Sequence, residues 1–262
     1  MHKPVCLIGV GEMGGVFARG FLKIGHPVFP ITRDMDLKRA DQFLPEPEAV
    51  IVSVGEKDLP LCLKNMPSAW RTRLVLLQNE LLPRDWQEHK IPAPTVISAW
   101  FEKKHPQDYK ILIPSPVFGP KADLIQRALA ALNIPCDGLN TAEELLFELV
   151  VKNLYILTIN IAGLEVGGTV HELWTHQQAL ARDVAKDVLD IQFFLIGKNL
   201  DREKLIQKML AAFDGDPQHK CRGRTAPQRL ERAIAQANAA GLAVPKLREL
   251  SAKQIKIASG NC

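Results

Sequence analysis

Val5-Cys6-Leu7-Ile8-Gly9-Val10-Gly11-Glu12-Met13-Gly14-Gly15 is the stretch on which the fold turns. Four apolar residues run straight into a turn whose glycines, Gly9, Gly11 and Gly14, stand at G-x-G-x-x-G spacing. In a strand–turn–helix unit the first such glycine permits a tight turn. The second lets backbone approach a pyrophosphate, and the third lets the helix pack closely on the strand. A helix opening here points unpaired N–H groups and the positive end of its dipole into the turn, which makes it an anion site.

The flanking sequence supports this reading. From Val16 to Ile24 the residues Val16, Phe17, Gly20, Phe21 and Ile24 share one helical face, and Gly25-His26-Pro27 stops the helix. Val28-Phe29-Pro30-Ile31 then forms a second strand. Strand, glycine turn, helix and strand within about 30 residues open a dinucleotide-binding α/β domain, with Gly9, Gly11, Glu12, Met13 and Gly14 as its cofactor loop. Thr32-Arg33-Asp34 follows where such a domain meets the adenosine ribose. Thr32 and Arg33 favour a 2′-phosphate and hence NADP, while Asp34 keeps NAD open.

Further strands are expected at Glu48 to Gly55, a continuous apolar run suited to a sheet covered on both faces, and at Arg73 to Gln78. Lys57 and Asn79 sit just past their carboxyl ends, where ligands of open α/β sheets bind. Helix is expected from Asp58 to Met66. Thr95 to Phe101 and Lys110 to Pro114 read as antiparallel strands joined by a solvated turn, Glu102-Lys103-Lys104-His105. Pro114, Pro116, Gly119 and Pro120 interrupt regular structure before a helix from Ala122 to Leu132 and a last strand, Asn133 to Cys136.

Beyond Asp137 the pattern becomes helical throughout, which places a domain boundary near residue 139. The expected organisation is a Rossmann-type dinucleotide-binding domain over 1–138, followed by an all-α substrate and dimerisation domain over 139–262. Thr141 and Glu144 form a capping box. The helix behind it, Leu145 to Ile161, is apolar nearly all round yet carries Lys152, Asn153 and Asn160. Lys152, Ile156 and Asn160 recur every four residues and so share a face. An ammonium there needs an opposite charge, for which Glu148 is in reach, or a cleft between domains where it serves chemistry. Helices follow at His171 to Ile196, Asp201 to Phe213, Pro227 to Ala240 and Lys246 to Ile257. A polar loop from Asp214 to Thr225 carries His219, Lys220, Arg222 and Arg224, either as a solvated basic loop or as a seat for an anionic substrate.

The 262 residues are 47% hydrophobic and 24% charged, with net charge +4. This is the balance of a soluble globular protein, and without a basic stripe interleaved with aromatics it does not call for nucleic acid. Five scattered cysteines, Cys6, Cys62, Cys136, Cys221 and Cys262, without a C-x-x-C pair, read as cytoplasmic thiols. The sequence begins without a signal-peptide core. The charged and amide residues inside Leu145 to Gly163 argue for a buried helix rather than a membrane span. No H-E-x-x-H or cysteine–histidine metal spacing is present.

A glycine-loop domain followed by a helical domain entered through a lysine-bearing helix resembles the ketopantoate reductases of the 6-phosphogluconate-dehydrogenase-like group. Ile8 to Gly15, Thr32-Arg33 and Leu77-Gln78-Asn79 match the family's cofactor elements, and Lys152 matches the lysine that serves as its general acid. The resemblance implies an NADP-dependent reductase acting on a small, anionic 2-oxo acid. It further implies Lys152 and Asn160 in the catalytic site and Lys220, Arg222 or Arg224 on the substrate carboxylate, commonly in a homodimer. The chain also departs from the family pattern. Ile156 replaces an asparagine, and no glutamate stands in Gly223-Arg224-Thr225-Ala226-Pro227 where the family carries one. Such losses are what a non-catalytic NADP-binding or sensor protein derived from a reductase would show.

Overall fold

Val5–Ile8 (β1) is buried over its whole length, as a strand must be when it lies inside a sheet covered on both faces. The structure is a computed structural model describing residues 2–103 and 108–260. Lys104 and His105, read as half of a solvated turn, lie outside the described residues, as does Cys262. The chain divides into two compact units, Met1–Leu149 and Val150–Cys262.

In the first unit β1 leads into α1 (Glu12–Lys23), β2 (Val28–Ile31), β3 (Val50–Val52), α2 (Leu59–Lys64), β4 (Leu74–Leu76), α3 (Pro83–Gln87) and β5 (Thr95–Ile97). A short ribbon, β6 (Phe101–Glu102) and β7 (Lys110–Ile111), precedes β8 (Ser115–Phe118), α4 (Ala122–Ala130) and β9 (Cys136–Gly138). The sheet order is β2-β1-β3-β4-β5-β8-β9, parallel at every pairing except β5 with β8, so that β8 and β9 run opposite to the other five strands. β2 and β3 flank β1 on opposite sides, so the connections diverge above the carboxyl ends of β1 and β3. That divergence is the topological switch point at which open α/β sheets bind ligands. Phe17 and Phe21 of α1 pack with Ile125 and Leu129 of α4 on one sheet face, burying Leu7, Ile51 and Val75.

Several local expectations are corrected, among them the last strand, which lies at Cys136–Gly138 rather than at Asn133 to Cys136. Helix α1 starts at Glu12 rather than Val16, so Gly14 and Gly15 belong to its first turn. The segment from Thr95 to Phe101 is not one strand. β5 stops at Ile97, and Trp100 donates its N–H to Ser115 Oγ (2.8 Å) before β6 begins. The prolines after Ile113 do not interrupt the sheet, because β8 contains Pro116. This residue accepts a hydrogen bond from Ser98 N (2.9 Å) just beyond the β5 ladder, where its missing N–H breaks no rung.

Helix α5 (Ala142–Val166) opens on the expected capping box. Thr141 Oγ1 accepts from Glu144 N (3.1 Å), and the Glu144 carboxylate accepts from the N–H groups of Asn140 (2.7 Å) and Thr141 (3.3 Å). The helix is long and apolar enough to cross a membrane, but 78% of its most apolar window is buried inside the protein. In the second unit follow α6 (Val170–His176), α7 (Gln178–Ile196), α8 (Arg202–Gly215), α9 (Ala226–Ala240) and α10 (Pro245–Gly260). The single helix expected from His171 to Ile196 is therefore two. Gln177 breaks it with φ near −130°, because the segments serve different neighbours. Trp174 of α6 meets Phe213 of α8, whereas α7 packs on α9 and α10. Buried Asp187 of α7 accepts the N–H groups of Lys246 (2.7 Å) and Leu247 (3.1 Å), pinning the start of α10.

Candidate functional site

At the switch point β1 runs into Gly9, whose φ is +90°, a region that side chains rarely adopt. A Cβ on Gly14 would lie 2.3 Å from the Gly9 carbonyl oxygen and 2.8 Å from Ser53 Oγ. Ser53, just past β3, donates its hydroxyl to Gly9 O (2.5 Å) and Ile8 O (3.1 Å). Gly9, Gly14 and Ser53 therefore lock the turn internally. Gly11 is different, since its φ is −76° and a Cβ there would meet nothing within 4 Å. Neither conformation nor packing requires this glycine, and it borders open space. Helix α1 begins there without a side-chain cap, leaving its first N–H groups directed at that space. Glu12 brings a negative charge into this first turn, and Lys103 lies 3.8 Å from it.

The open space is a cavity of about 760 Å³ running from Gly9, Val10 and Gly11 to the end of β2 and onto α2. Its volume is that of a small-molecule or cofactor site. Thr32 and Arg33 line it and are exposed. Gln78 braces the stretch at Val54 that lines the cavity. Its buried amide donates to Val52 O (2.7 Å) and Val54 O (3.1 Å), holding the loop after β3 in place. Asn79 instead donates to Glu56 Oε1 (3.1 Å), Lys57 is exposed, and Met13 packs onto the hydrophobic core.

In the second unit Lys152 is half-buried on α5, one turn before Ile156, which is buried. Asn160 is buried and held at both ends of its amide. Its Nδ2 donates to Ile156 O (2.9 Å), and its Oδ1 accepts from Gly223 N (2.9 Å). The loop after α8 is tied down by its backbone. His219 O accepts from Val170 N (2.9 Å), and Cys221 N donates to Gly168 O (3.1 Å). Buried Cys221 alternates with Lys220, Arg222 and Arg224, which are exposed.

No protein-family model and no curated protein matches this sequence. Solved structures do match it. The 2-dehydropantoate 2-reductase of Methylococcus capsulatus superposes with a TM-score of 0.68 over 97% of this chain and 96% of the other, at 12% identity. A dimeric ketopantoate reductase from Staphylococcus aureus gives 0.60 over 95% and 96%, at 13% identity. D-mandelate dehydrogenase, solved with NADH, gives 0.63 over 95% and 96%, at 14% identity. The fold is that of the ketopantoate reductases.

Sequence reading missed one group at this site. Ser53 locks the glycine turn through carbonyls 44 and 45 residues away, a pairing with no local signature. Asp58, next to Lys57 in the loop past the carboxyl end of β3, lines the cavity together with Gly55. Its charge adds to burial in pushing the neighbouring Cys62 thiol up to about 12, so that thiol stays protonated at neutral pH.

Proposed function

We propose that this protein is an NADP-dependent reductase of a small 2-oxo acid. The observation that carries the reading is Gly11, a glycine that the protein itself does not require, set between an uncapped helix N-terminus and a cofactor-sized cavity. In this reading the first N–H groups of α1 bind the pyrophosphate, with Gly11 allowing its close approach. Arg33 and Thr32 at the cavity edge take the ribose 2′-phosphate, since a guanidinium pairs with phosphate through two parallel hydrogen bonds. The bound nicotinamide supplies the hydride. Lys152 donates a proton to the carbonyl oxygen as it gains negative charge, and its ammonium stabilises that charge before transfer. Lys220, Arg222 and Arg224 supply cationic partners for the substrate carboxylate, and the helical unit supplies the surface of a homodimer. The likeness in fold to 2-oxo acid and 2-hydroxy acid oxidoreductases supports the substrate class.

The test is loss of reduced-nicotinamide absorbance over a panel of 2-oxo acids, with wild type and Lys152→Ala compared. We expect turnover by wild type and a fall of at least about a hundredfold in the variant at unchanged NADPH affinity. Full turnover by the variant removes Lys152 from the mechanism. A second reading, an NADP-binding sensor without turnover, is favoured by buried Ile156 and by Asn160, whose amide already serves Gly223 and Ile156. Tight NADPH binding with no oxidation across the panel selects it.

A further inference from the structure

Helix α5 meets the loop between α8 and α9 at two points of unusually close approach. At the first, Asn160 Oδ1 accepts from Gly223 N (2.9 Å), and a Cβ on Gly223 would lie only 2.8 Å from that oxygen. At the second, a Cβ on Gly163 would lie 2.7 Å from the Cys221 carbonyl carbon and 2.8 Å from its oxygen. Gly163 is a helical residue, and helices disfavour glycine. What it supplies here is room for the loop. The loop's other edge is held as well, because Cys221 N donates to Gly168 O (3.1 Å) and Lys220 forms an antiparallel bridge with Thr169. Residues 220–223 are thus clamped between α5 and the turn into α6, with Lys220 and Arg222 exposed on either side of buried Cys221.

Resting on the reductase reading above, we propose that Asn160 is a positioning residue that acts on the anionic substrate through this loop, with Gly163 as its companion. The amide has one orientation that satisfies both neighbours, Oδ1 toward Gly223 N and Nδ2 toward Ile156 O. Eight residues of helix, about 12 Å along the axis, separate it from Lys152. Its work is therefore done at the loop and not at the carbonyl that Lys152 protonates. Fixing the loop backbone before substrate arrives lowers the ordering cost of bringing Lys220 and Arg222 onto a carboxylate.

The experiment compares wild type with Asn160→Ala, Gly163→Ala and Gly223→Ala. It measures kcat and KM for a 2-oxo acid, NADPH affinity, melting temperature, and the rate of tryptic cleavage after Lys220, Arg222 and Arg224. Gly223 is exposed, so its variant keeps the test open if a change on α5 prevents folding. The three variants are expected to move together. KM should rise about tenfold with kcat within about threefold, cleavage should quicken about fivefold or more, and NADPH affinity should hold. Faster cleavage with KM unmoved would leave a purely structural clamp and overturn the proposal. So would unchanged cleavage, or a hundredfold fall in kcat confined to Asn160→Ala, which would put the amide on the reacting atoms. If wild type binds NADPH but reduces no 2-oxo acid, the reductase reading fails, and calorimetric affinity of the NADPH-bound protein for pyruvate takes the place of KM. A tenfold loss in the variants then upholds the positioning role, while equal affinities, or no binding by wild type, overturn it.

Discussion

Gly11 and Gly14 are three residues apart in one turn, yet they answer to different constraints. A methyl group on Gly14 collides with the Gly9 carbonyl at 2.3 Å. Gly14→Ala should therefore lower unfolding free energy by about 2 kcal/mol in a urea titration. A methyl group on Gly11 meets nothing, so Gly11→Ala should stay within about 1 kcal/mol of wild type, the scale of a helix-cap change, while weakening nucleotide binding. Equal stability losses would contradict this division of roles. The spacing of these glycines was legible because turn, approach and packing each impose a local rule. Ser53 was not, because its contribution is two hydrogen bonds that exist only once β3 lies beside β1.

Among the elements, the capping box of α5 could be read directly, since Thr141 and Glu144 satisfy it within four residues. The break at Gln177 and the strand through Pro116 could not, because both follow from what their neighbours require. Two anchors between elements give measurable predictions. Asp187→Ala removes the acceptor for two N–H groups at the start of α10 and should cost about 2 kcal/mol in unfolding free energy. Glu48, before β3, accepts from Lys121 at the start of α4 (2.7 Å). That hydrogen bond, with the Lys121 charge, outweighs burial and holds its carboxyl below the usual range. A depressed carboxylate stabilises the fold above its unfolded pKa and loses that contribution as pH falls through the folded one. Lys121→Met should thus cost about 1 kcal/mol at neutral pH, and the deficit should shrink below about pH 4. A deficit constant with pH would show that packing, not charge, sets it.

For the whole molecule, an alternation of strands and helices giving way to helices alone was enough to read the fold class, because sheet and bundle impose periods of two and 3.6 residues. The site was legible in part. The glycine turn and Arg33 announce the cavity, while the wall that α2 contributes carries no local signal, since Leu61, Cys62 and Asn65 come to the cavity only once the helix lies against the sheet. Asn160 shows the limit of a matched position, since its amide holds the loop at Gly223. Binding coupled to folding gives one global prediction. NADPH at a hundred times its dissociation constant should raise unfolding free energy by about 2.7 kcal/mol.

The most direct test of the central claim is a fluorescence titration of NADPH with the purified chain and its Gly11→Val variant. The account predicts saturable binding by wild type, weaker binding of NADH by about tenfold through loss of the 2′-phosphate contact with Arg33, and binding weakened at least tenfold in the variant. Absence of saturable binding, or a Gly11→Val protein that binds NADPH as tightly as wild type, would contradict it.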